Sequence, residues 1–234
     1  MLLYLIRHGD PIYVTDTLTE RGRLQAEAVG KRLAASGIDR VFASSMGRAQ
    51  ETAMPLCRML GKEYTVEHWA REIGEERLTS YPDGIPKSVS AIQNTAFRQD
   101  GSADLPYDRY MENMVFKSTR LDEAVEYIER SGNEFLERFG YRYENGLYRI
   151  VKPSEERVAL FCHAVFTRTW LSVLLHIPLQ LITAGFQPTH TGVTVLEFKN
   201  NEDGFTAPKC LCFSDVSHLY AEGLDIIHDN KIGL

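Results

Sequence analysis

Residues 2–6, Leu-Leu-Tyr-Leu-Ile, form a near-continuous apolar run that stops at Arg7-His8-Gly9. A run without polar alternation reads as a strand buried on both faces, as in a parallel sheet covered by helices. It is short, has no basic residues before it and no small-residue cleavage site after it, so it reads as the first strand and not as a signal peptide.

The rest of the chain follows that lead. Thr19 suits the N-cap of a helix from Glu20 to about Ala35, with Leu24, Ala28 and Leu33 near helical spacing and Ser36-Gly37 as its end. Val41-Phe42-Ala43 reads as a second strand running into Ser44-Ser45, then a helix from about Gly47 to Leu60, closed by Gly61. Thr65-Val66 marks a third strand. Strand–helix alternation of this kind predicts a three-layer αβα fold with a mostly parallel central sheet.

The pattern changes after Glu72. Residues 74–113 are Gly-, Pro- and polar-rich without a clear period, including Tyr81-Pro82-Asp83-Gly84-Ile85-Pro86. So long a stretch in a globular chain predicts short helices or a functional lid. Leu121, Val125, Ile128, Phe135 and Leu136 restore helical spacing, and Asn145-Gly146 between two β-rich flanks predicts a hairpin. Arg157–Phe161 is another buried strand, ending at Cys162-His163. A helix follows from about Val165 to His176, and Gly192–Phe198 and Lys209–Phe213 are the last strands. The reading is one α/β domain over residues 1–234, interrupted at about 74–152 by a lid-like insertion over the carboxyl ends of the strands.

Composition narrows the function classes. Apolar residues are 44% and charged residues 25%, which excludes a disordered or fibrous chain. Lys+Arg 26 against Asp+Glu 32 gives a net charge of -6, so no nucleic-acid or anionic-membrane partner is expected. Four scattered cysteines without a C-x-x-C pair predict neither a disulfide framework nor a zinc ribbon. No two histidines lie three or four apart, so no metal site is expected. The longest later apolar run, near Thr169–Ile177, is far short of a membrane span. The expected location is cytoplasmic.

In open α/β sheets ligands bind beyond the carboxyl ends of the strands. That rule selects Arg7-His8, Ser44–Arg48 and His163, which bring two cations and two imidazoles to one edge. Such a set suits a phosphoryl group: guanidiniums bind its oxygens bidentately and an imidazole can attack it.

The start L-I-R-H-G resembles the histidine phosphatase superfamily, the phosphoglycerate-mutase-like fold. L-T-E-R-G-R-L-Q-A at Leu18–Ala26 is similar to the family's first helix, and S-S-M-G-R-A-Q-E-T-A at Ser44–Ala53 to its second-arginine segment. F-C-H-A at Phe161–Ala164 falls where the family has its second histidine; T-G-V-T-V-L-E and D-V-S-H-L resemble its closing strands. The resemblance covers about residues 1–73 and 157–220. It implies His8 as the nucleophile that becomes phosphohistidine, Arg7 and Arg48 as the phosphate clamp, and His163 as the second pocket histidine. A-R-E-I-G matches the family's proton-donor segment, which implies Glu72 as the acid. Ala164 stands where the family usually has the glycine that approaches phosphate. The family's first-loop Asn, a phosphate contact, has no counterpart in Asp10-Pro11-Ile12-Tyr13-Val14-Thr15.

What the resemblance implies is a metal-independent phosphomonoesterase of the histidine acid phosphatase type. It would need no cofactor and would act on a small phosphorylated substrate or bind inorganic phosphate. A mutase-like phosphotransferase and a non-catalytic phospho-ligand binding protein are the alternatives. Glu75 and Glu76 read as solvated loop residues, and His68, His190 and His228 as structural ones. The hairpin at Asn145-Gly146 is an edge that a second subunit could pair with, giving a homodimer.

Overall fold

A computed structural model of the chain describes residues 1–80 and 86–228. Most of the Tyr81–Pro86 stretch therefore lies outside the described residues. Alternation within the apolar runs decides how the layers form. Strand β1 (Leu2–Arg7) turns Leu3 and Leu5 to one face and Ile6 to the other. β2 (Arg40–Ser44) divides Phe42 from Val41 and Ala43 in the same way, as does β4 (Arg157–Cys162), with Val158 and Leu160 opposite Ala159 and Phe161. With β3 (Tyr64–Glu67), β5 (Val193–Glu197) and β6 (Lys209–Asp215) they form a six-stranded sheet in the order β6-β5-β1-β4-β2-β3. Only β5 runs against the others.

Helices α1 (Glu20–Ala35) and α2 (Gly47–Leu60) cover the face carrying Ile6, through Val29, Leu33, Ala53 and Leu56. Thr19 caps α1 by accepting from the Gly22 amide at 2.9 Å, and Gly61 closes α2 at φ 63°. α3 (Leu121–Glu137) and α4 (Ala164–Leu175) cover the other face. There the Trp69 and Trp170 rings meet edge-on at 4.9 Å, with Phe135 and Phe166 against them. Fully burying one such aromatic contributes about 1.5–3 kcal/mol.

The stretch that the sequence suggests is an insertion divides in two. α3 and the hairpin Tyr141–Glu144/Leu147–Ile150 pack into the core, with Phe135, Leu136 and Tyr141 at 0–1% exposure. The earlier part consists of short 3₁₀ turns, among them Val89–Ala91, Asn94–Arg98 and Tyr107–Glu112. It is pinned by Phe97 and Phe116 in the core, and by Gln180 Nε2, which donates to the Ser102 and Leu105 carbonyls at 3.1 and 2.9 Å.

Candidate active site

Because β1, β2 and β4 are parallel neighbours, their carboxyl ends converge. The backbone fixes them there: the His8 amide donates to the Cys162 carbonyl at 3.0 Å, and the Thr191 amide to that of Arg7 at 3.1 Å. Gly9 and Gly22 allow the loop after β1 to lie against α1, since a Cβ on Gly9 would sit 2.7 Å from the Gly22 carbonyl oxygen. The Gly9 amide donates to Thr52 Oγ1 (3.0 Å), and that hydroxyl donates to the Arg48 carbonyl (2.7 Å), tying the loop to α2.

His8 is held in a defined tautomer. His8 Nδ1 lies 2.7 Å from the Gly9 carbonyl oxygen. A carbonyl only accepts, so Nδ1 carries the proton and the Nε2 lone pair is left as a nucleophile. The His163 ring lies 5.2 Å from that of His8, with its Nε2 2.8 Å from Ser44 Oγ. Its Nδ1 is buried with no hydrogen-bond partner among the described residues. Burial first, then His163, Arg7 and Arg48, push His8 well below the usual histidine range; burial followed by Arg48, Arg7 and Arg71 does the same to His163. Desolvation is the largest single cause, ahead of the like-charge repulsion from either guanidinium.

Arg7, His8, Arg48, Glu72 and Ala164 line one cavity of about 900 Å³. His163, fully buried, meets it through His8. Arg7 is 4% exposed, donates from Nη1 to the Pro188 carbonyl at 2.7 Å and is lowered by burial. Arg48, in the first turn of α2, is paired with Asp16. Glu72 reaches across to the N-terminus of α4, where its oxygens accept from the amides of Phe166 (2.9 Å) and Val165 (3.2 Å). The further walls are apolar, from Leu78, Val89, Ile92 and Phe97, with Arg168 as another cation.

Several of these neighbours escape a reading of the sequence alone. His190 is not a remote structural residue: its ring lies 5.5 Å from that of His8, and burial, then Arg7 and Arg21, push it down to about 3. His228 and Glu75, expected outside the site, also line the cavity. The positive φ of Thr191 (56°) turns the chain so that His190 faces β1, and Pro-Thr-His-Thr carries no periodicity that announces this. Among the described residues no group of three or more His, Cys, Asp or Glu side chains could hold a metal, and no helix is long and apolar enough to cross a membrane.

Comparison with known proteins bears on the fold and the family. Among solved structures the chain is similar to phosphoserine phosphatase from Entamoeba histolytica in complex with 3-phosphoglyceric acid (TM-score 0.60, 19% identity, 93% of this chain and 98% of that one). It is also similar to a mycobacterial glucosyl-3-phosphoglycerate phosphatase (TM-score 0.60, 18% identity, 91% and 98%). At these identities the likeness is one of fold. A curated relative, the mitochondrial serine/threonine-protein phosphatase Pgam5 of Drosophila persimilis, is 57% identical over 58 residues. That stretch is 22% of this chain and spans only 20% of the relative's length. The profile of the histidine phosphatase superfamily (branch 1) matches residues 3–136, more than half of the chain. By that match the chain belongs to the histidine phosphatase superfamily, branch 1.

Proposed function

We propose that the protein hydrolyses small phosphomonoesters through a phosphohistidine at His8. The observation that carries this reading is the His8 Nδ1–Gly9 carbonyl bond, which leaves Nε2 unprotonated in a cavity that also holds Arg7 and Arg48. His8 Nε2 attacks phosphorus and the bond to the leaving oxygen breaks. Arg7 and Arg48 balance the charge on the equatorial oxygens, and His163 donates to one of them from Nδ1. Glu72 gives its proton to the departing alkoxide. Water then attacks the phosphohistidine, Glu72 takes its proton, the P–N bond breaks and inorganic phosphate leaves.

The phosphatases among the similar folds, with 3-phosphoglyceric acid and inorganic phosphate bound, support a small phosphorylated substrate. The deciding assay is phosphate release from p-nitrophenyl phosphate in EDTA. Hydrolysis supports the reading; primer-dependent phosphoryl transfer without net hydrolysis makes the protein a mutase, and binding without turnover a phospho-ligand receptor.

A further inference from the structure

The loop between β1 and α1 lacks the asparagine that its family uses toward phosphate, yet it touches both clamp arginines. Tyr13 interacts with Arg7 through its phenol, and the Arg48 guanidinium carbon lies 5.4 Å from the Tyr13 ring centre. Asp16 makes the firmer contact. One of its oxygens, Oδ1, accepts from Arg48 Nη1 at 2.5 Å, and the other, Oδ2, accepts from the Gly47 amide at 2.6 Å. One carboxylate therefore bridges the first amide of α2 and the guanidinium of the residue after it.

Backbone geometry is built around this contact. Asp16 has a φ of 53°, in the left-handed region. Gly47 must be glycine for the loop to seat, because a Cβ there would lie 2.5 Å from the Asp16 carbonyl oxygen. Val14, at the tip, is 96% exposed, so the loop is held by its two ends and by the arginines beneath it.

The consequence follows from the shape of a guanidinium. Its five donors form a rigid fork, and the edge made by Nε and Nη2 is one that grips two oxygens of a phosphoryl group at once. Asp16 occupies Nη1. Arg48 Nε is buried and has no partner among the described residues. Asp16 is also 38% exposed, so the pair contributes more orientation than energy.

We infer that Asp16 is a positioning residue, holding Arg48 by Nη1 so that its Nε–Nη2 edge is presented to the phosphoryl group. The loop thereby acts on phosphate through Arg48 instead of touching it. This rests on Arg48 being a phosphate clamp, as in the proposed function. The opposite arrangement, in which Asp16 is a resident anion that phosphate must displace, predicts the opposite sign.

The test is calorimetric binding of inorganic phosphate, with KM and kcat on p-nitrophenyl phosphate, for wild type, Asp16→Ala, Asp16→Asn, Arg48→Ala and the Asp16→Ala/Arg48→Ala pair. Asp16→Ala should weaken phosphate and raise KM by about 10- to 100-fold, the scale of a misplaced binding group. Asp16→Asn keeps an acceptor oxygen and should recover part of the loss. In the Arg48→Ala background Asp16→Ala should change phosphate binding no further, since both act through one group. Thr15→Ala removes the hydroxyl's contacts with Thr17 Oγ1 (2.8 Å) and the Ile12 carbonyl (3.5 Å) and controls for loop loosening; it should bind phosphate as wild type does. Unchanged or tighter binding in Asp16→Ala overturns the inference, as does an effect of equal size in the Arg48→Ala background. If wild type neither binds phosphate nor turns over the ester, the proposed function fails and the Asp16 role with it. If wild type does both while Asp16→Ala matches it, the Asp16 role alone fails.

Discussion

His163 Nε2 and Ser44 Oγ lie 2.8 Å apart and join the carboxyl ends of two adjacent parallel strands. Ser44 Oγ accepts from the Met46 amide at 3.2 Å and keeps its own proton to offer Nε2, along with a second lone pair. When Ser44 donates, the His163 proton sits on Nδ1, the nitrogen without a partner among the described residues. In that arrangement Ser44 supports the phosphate-donor role that the proposed function gives His163. Ser44→Ala should free the tautomer and lower kcat/KM by roughly 2- to 12-fold, the worth of one ordinary hydrogen bond. Activity equal to wild type, with His163→Ala still damaging, would separate Ser44 from the site.

His8→Ala should abolish turnover while the protein stays folded, because the ring lies past the last residue of β1 and lines the cavity. Labelled substrate should leave an acid-labile, base-stable phosphoprotein in wild type and none in the variant. An acid-stable adduct would move the nucleophile to a serine, threonine or aspartate.

The fold is legible in the sequence because apolar runs and caps are local signals. Thr19, Gly61 and the unbroken apolar run Leu2–Ile6 each state their own element. Arg7, His8, Arg48 and His163 are legible for a related reason: each immediately ends a strand or starts a helix, and parallel pairing brings such positions together. His190 and Asp16 are not. Both lie in loops whose course depends on single left-handed residues, Thr191 and Asp16 itself, and that conformation has no pattern outside glycine and asparagine. Their partners, His8 and Arg48, are brought to them only by the folded chain.

Acid should destabilise the protein while sparing the nucleophile. His8, His163, His190 (about 3) and His218 (about 4) are all lowered, each with burial as the first cause. The unfolded chain takes up these protons near the ordinary value of about 6.5, and the folded chain only at lower pH. Their contribution is therefore complete above that value and is lost as pH falls below it. Each buried histidine adds at most about 1.4 kcal/mol per pH unit to the slope. Urea unfolding between about pH 7 and about pH 5 should show the fall, and His190→Gln should flatten it by about that amount. The acid limb of kcat/KM should lie well below 6.5. A limb at 6.5 would mean that His8 titrates as an exposed imidazole.

Glu72 caps α4 and is the proposed proton donor, and one substitution can separate the two roles. Its oxygens accept from the Phe166 and Val165 amides, and the same carboxyl lines the cavity with His8. Glu72→Gln keeps one acceptor oxygen but turns an NH₂ toward the second amide at the α4 N-terminus. That should cost about 1 kcal/mol of stability, as loss of a cap does. A change confined to the cap would slow all substrates alike. Loss of the proton donor would not, since a nitrophenolate leaves unaided and an alkoxide does not. The alkyl phosphate should therefore fall by roughly 10²–10⁴, with a milder loss on p-nitrophenyl phosphate. Glu75 is the control that matters, because it lines the same cavity. Glu75→Gln should slow both esters alike or not at all. If the alkyl-selective loss appeared in Glu75→Gln and not in Glu72→Gln, the acid would be Glu75, and Glu72 would remain only the cap of α4.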